Sequence, residues 1–81
     1  MKCPMPRFLF DIQEDGHLTR DDEGQEFANA ASARQEAVVT GAAIARDAFT
    51  AGSADRVIID VREDETDAPV VKVSIKLDVE E

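Results

Sequence analysis

Apolar residues recur along this chain with two periods, and the switch between them divides it into elements. From Arg7 to Gln13 they alternate: Phe8, Phe10 and Ile12 point one way, and Arg7, Leu9, Asp11 and Gln13 the other. That period of two is the mark of a half-buried strand, expected over residues 7–13. Glu14-Asp15-Gly16 supplies a turn in which the glycine can take positive φ, so residues 17–20 read as a short returning strand with Leu18 inward. An acidic loop broken at Gly24 follows, and Phe27 anchors the start of the next element.

Between Ala30 and Phe49 the period becomes helical. Ala30, Ala33, Ala37, Gly41, Ile44 and Ala48 form one stripe, Val38, Ala45 and Phe49 flank it, and Gln35, Glu36, Arg46 and Asp47 point away. Asn29 is a good N-cap and Gly52 a natural stop, which predicts a helix over residues 30–51. Ser32 with Gln35 offers a second capping pair, but a start at Asn29 brings Ala30 into the stripe. A stripe of such small residues lets the helix lie close to a sheet, whose side chains then supply the bulk of the core.

Alternation returns in residues 56–62, with Val57, Ile59 and Val61 on one face, and in residues 70–79, with Val71, Val73, Ile75, Leu77 and Val79 on one face. An acidic, proline-ended loop, Glu63 to Pro69, separates the two. The expected fold is α+β: a two-layer ββαββ domain with a four-stranded antiparallel sheet, in the order 2-1-3-4, and one helix packed on one face. Residues 1–81 make one domain, and residues 1–4 read as an extension because Pro4 and Pro6 prevent regular pairing before Arg7. The last strand is longer than any partner in the chain, so part of it is free to pair elsewhere.

Charge narrows the function classes. With 18 acidic and 9 basic side chains the net charge is −9, and no basic patch stands against it, which argues against nucleic acid and anionic membrane as partners. No apolar run is long enough for a signal peptide or a membrane span, so a cytoplasmic location is expected. Cys3 is the only cysteine, which excludes an internal disulfide and leaves no cysteine pair for zinc.

Met5-Pro6-Arg7-Phe8-Leu9-Phe10-Asp11, Asp15-Gly16, Asp21-Asp22-Glu23-Gly24-Gln25-Glu26-Phe27 and the alanine-rich helix with Ala33-Arg34 and Glu36-Ala37 together resemble a family of short uncharacterised proteins, a domain of unknown function. That family is frequent in rhizobia and other alphaproteobacteria, so the resemblance implies a bacterial protein. It covers nearly the whole chain from Met5 and implies that Met5 corresponds to the usual start. The chain departs from the pattern at Leu9, where a further aromatic is usual, at Ala28, where proline is common, and at Ala30, where a larger apolar residue is common. The resemblance implies no activity, cofactor or catalytic residue.

The residues point to few sites. Asp21, Asp22, Glu23 and Glu26 crowd one loop, but their spacing lacks the alternating ligands of a calcium loop, and acids ahead of a helix complement its dipole. His17 reads as an exposed turn residue and Cys3 as a thiol without a base or pocket. The glycines have no phosphate-cradling spacing, and no serine or threonine sits in a nucleophile elbow. The surface that invites a partner is the sheet face away from the helix, where Leu9, Ile58 and Val70 interrupt the polar positions. The expectation is a non-enzymatic accessory or protein-interaction protein without a cofactor or metal, acting as a homodimer. The alternative is a small-ligand or divalent-metal-binding protein that uses the acidic loops.

Overall fold

A computed structural model describes residues 5–80 of the chain. Cys3 and the expected extension at residues 1–4 lie outside the described residues. The fold is α+β, with one helix and an antiparallel sheet. In chain order the elements are β1 (Arg7–Glu14), β2 (His17–Thr19), β3 (Gln25–Glu26), α1 (Ala30–Ala51), β4 (Arg56–Glu63) and β5 (Pro69–Lys76). The strands run β2-β1-β4-β5, and β3 also pairs with β1. The sheet differs from the expected four-stranded order by this fifth strand, which has two residues and no alternation long enough to announce itself.

The helix begins and ends where its capping residues require. Asn29 is extended, and its side chain accepts the N–H of Ser32 at 2.9 Å. Gly52 takes φ 74°, which lets the N–H of Ser53 close onto the carbonyl of Ala48 at 3.0 Å. Ala33, Ala37, Gly41, Ala45 and Ala48 are buried, whereas Ala30, expected in the stripe, is exposed in the first turn. Opposite them Val57, Ile59 and Val61 of β4 are at most 1% exposed. Full burial of a side chain of that size stabilises the fold by about 1.5–3 kcal/mol, so the sheet contributes most of the interface. A Cβ at Gly41 would stand 3.2 Å from Cγ1 of Ile59 and 3.3 Å from Cδ1 of Ile75, which places the helix over β4 and β5. Phe8 and Phe10 of β1 are covered instead by Phe27, whose ring centroid lies 6.1 and 5.8 Å from theirs.

Three expected details are corrected. The positive φ of the first turn falls on Asp15 (52°), whose carboxylate accepts the N–H of Asp55 and of Arg56 and so ties the turn to β4. Leu18 does not turn inward. It pairs with Gln13, shares the face away from the helix and is 54% exposed. The last strand stops at Lys76 because β4 begins at Arg56; only one further bond, from the N–H of Leu77 to the carbonyl of Asp55 at 2.9 Å, continues the pairing.

Candidate functional site

The sheet face away from the helix carries Arg7, Leu9, Asp11 and Gln13 from β1, and Arg56, Ile58, Asp60 and Arg62 from β4, by the register of the two strands. Asp11 stands opposite Asp60, and Arg62 opposite Leu9, so Asp11 and Arg62 are diagonal neighbours. They form an ion pair: Nε of Arg62 lies 2.8 Å from Oδ2 of Asp11, and both side chains are largely shielded from water. Arg62 also donates to the carbonyl of Asp21 at 3.1 Å and to Asp67 at 2.8 Å, so it holds both acidic loops.

The first of these loops folds back over the sheet. Oδ1 of Asp11 accepts the N–H of Asp21 at 2.9 Å. Asp21 in turn accepts the amides of Glu23 and Gly24 through Oδ1 and that of Phe10 through Oδ2, each at 3.1 Å. Burial pushes the carboxyls of Asp11 and Asp21 up, but other groups outweigh it. For Asp11 they are the Arg62 guanidinium, the Asp21 amide and the charge of Arg20; for Asp21 they are the amides of Phe10, Gly24 and Glu23, which also overcome the negative charge of Asp11. Both carboxyls therefore lie below their ordinary value, and hydrogen bonds to Asp11 and Asp67 raise Arg62 above its own.

These contacts decide where Leu9 lies, and the register of β4 on β5 decides Val70. Leu9 is 5% exposed because Gly24, at φ 76°, lies directly on it: a Cβ at Gly24 would come within 2.9 Å of Leu9, of the Arg7 side chain and of the Phe8 carbonyl. Leu9 is thus core under the loop and unavailable to a partner. Val70 sits at the register shift between Val61 and Arg62, a bulge that re-aims it to pack against the helix-side core. Ile58 alone stays half-buried on the far face, between Gln13 and Ser74. It is four residues from the partner of Leu9 along β4, about 13 Å away, so the three residues form no common patch.

The acids of the loop do not converge either. Asp21 is occupied by backbone amides, Glu26 makes an exposed pair with Arg7 at 3.5 Å, Glu23 offers Arg7 its carbonyl at 2.7 Å, and Asp22 is exposed. Among the described residues no three His, Cys, Asp or Glu side chains are close enough together to hold a metal ion. His17 is exposed at the start of β2, opposite Glu14. A shallow cleft of about 300 Å³ is lined by Met5, Pro6, Arg7, Glu26, Glu63, Asp64 and Glu65, so its polar groups are four carboxylates and one guanidinium. The triad of Asp11, Asp21 and Arg62 escaped the sequence reading as a unit, although Asp11 and Arg62 both fall on the polar face of alternating strands. That opposite charge on one face is the available signal; the register that joins the two is not.

A family model described as a domain of unknown function (DUF6894) matches residues 7–76. The chain belongs to this family. The match runs from the first residue of β1 to the last of β5, so the DUF6894 unit is the sheet with its helix and both acidic loops. No curated protein and no solved structure matches the chain. Among the described residues no helix of this DUF6894 chain is long and apolar enough to cross a membrane.

Proposed function

We propose that this chain is a small non-enzymatic protein-interaction protein of the bacterial cytoplasm that works as a homodimer. The observation that carries the reading is the contrast between the two edges of the sheet. On one edge, β2 pairs with residues 12–14 of β1, β3 with residues 7–8, and Asp21 takes the amide of Phe10 in the gap between them. On the other edge β5 presents eight residues, and no strand among the described residues pairs with its outer side. An uncovered strand is a template for another chain.

The polar chemistry supports binding over catalysis. The side chains whose ionisation the fold alters, Asp11, Asp21 and Arg62, satisfy one another and the backbone. The charge of −9 favours a protein partner over a nucleic acid. Light scattering on the purified chain tests the reading. A mass of twice 8.8 kDa at micromolar concentration is expected, and 8.8 kDa at every concentration would overturn self-association.

A further inference from the structure

We propose that two copies of this chain join edge to edge through β5 and flank to flank through α1, forming one continuous antiparallel sheet with both helices side by side on one face. This rests on the self-association reading above and specifies its surface.

The backbone of β5 defines the open groups. In an antiparallel pair, successive residues turn their N–H and C=O alternately toward one neighbour and the other. The N–H of Leu77 bonds to Asp55, so Ile75, Val73 and Val71 turn theirs toward β4, whereas Lys72, Ser74 and Lys76 turn theirs outward. The bond from the N–H of Asp15 to the carbonyl of Arg56 fits the same alternation, since it sends the even residues of β4 toward β1.

The position of the helix selects a second copy as the occupant. Gly41 sits between Ile59 of β4 and Ile75 of β5, which sets the helix axis about half a strand spacing inside β5. Strands lie about 4.8 Å apart, so a two-fold copy joined at β5 brings the two helix axes to about 10 Å, the separation of packed helices.

The facing flank has the side chains for that contact. Thr40 lines a cleft with Phe10, Ile12 and Thr19, so the flank of Thr40, Glu36 and Asp47 faces β1 and β2. At about 100° per residue, the opposite flank carries Ala31, Val38, Ala42, Ala45 and Phe49, with Arg34 and Arg46 at its two margins. Val38 is 43% exposed there. The alanines and Val38 permit close approach of two helices along this flank, and Phe49 is half-buried against the core of its own chain.

Lys72 and Lys76 choose the register. With Val73 opposite Val73 of the second copy, Lys72 meets Ser74, and residues 70–76 of β5 are paired. Centring on Ser74 would set Lys72 against Lys76, which like charge disfavours, and centring on Ile75 would run the pairing past the end of the strand.

The test is sedimentation equilibrium on the wild-type chain and three variants. Ser74→Pro removes an outward amide and leaves the bonds to β4 intact; Val38→Glu with Ala42→Glu charges the helix flank; Ala43→Glu charges the exposed side of the helix away from the proposed contact. The expected result is a wild-type dimer, at least tenfold weaker association for Ser74→Pro and for the flank pair, and an unchanged dimer for Ala43→Glu. Circular dichroism confirms that each variant folds, and the flank pair reads the interface if Ser74→Pro does not fold. Equal dimerisation by the wild type and both interface variants would overturn the edge model while leaving self-association standing. A monomeric wild type would overturn both.

Discussion

Oδ2 of Asp21 accepts the backbone N–H of Phe10 at 3.1 Å, at the one point on the outer edge of β1 that neither β2 nor β3 reaches. A carboxylate thus stands in for a strand. With its other oxygen it closes its own loop through the amides of Glu23 and Gly24. Removing it leaves three amides to be satisfied by water, one of them against the core. Asp21→Ala is expected to lower unfolding free energy by about 1–3 kcal/mol, and Asp21→Asn by less, because the amide oxygen still accepts. Urea denaturation measures both; equal stability of all three proteins would remove this role.

Acid sensitivity follows from the same group. Asp11 and Asp21 are both lowered from their ordinary value of 3.8. A carboxyl with a depressed folded-state pKa contributes stability that is present in full above the unfolded value and is lost as pH falls through the folded one. The urea midpoint is therefore expected to hold from pH 7 to about 5 and to fall below about 4, less steeply in Asp21→Asn. A wild-type midpoint unchanged down to pH 3 would contradict the linkage.

Gly24 is expected to be the least replaceable glycine. Alanine there meets Leu9, Arg7 and the Phe8 carbonyl at 2.9 Å and must also hold φ 76°. Gly52 has a similar φ of 74° but open space around it. Gly24→Ala is expected to cost about 2–4 kcal/mol and Gly52→Ala about 1 kcal/mol, a difference that thermal melts resolve.

Leu9 and Ile58 separate core from surface on the far face. Leu9→Ala is expected to cost about 2–4 kcal/mol, as for a buried leucine, whereas half-buried Ile58→Lys is expected to be milder. The reverse ranking in denaturant titrations would mean that the acidic loop does not cover β1.

Sequence patterning carried the elements and little of the loop. The helix was legible because Asn29, Gly52 and a small-residue stripe agree at short range, and β1 and β4 because alternation shows which side faces the helix. Leu9 was misplaced because alternation tells the face of a residue and not what covers it; the cover comes from Gly24, sixteen positions beyond Phe8. Val70 was misplaced because a bulge shifts the phase of the pattern, and a bulge depends on pairing with Arg62. The ion pair of Asp11 with Arg62 joins residues 51 positions apart, so only the register of β1 on β4 reveals it.

Hydrogen exchange at the outer edge of β5 tests the dimer most directly. Lys72, Ser74 and Lys76 turn their amides away from β4, so in a lone chain these exchange quickly while those of Val71, Val73 and Ile75 are protected. Protection of Lys72, Ser74 and Lys76 that rises with protein concentration, in step with the fraction dimeric, is the predicted result. Fast exchange at those three amides in a sample that is fully dimeric by mass would contradict it.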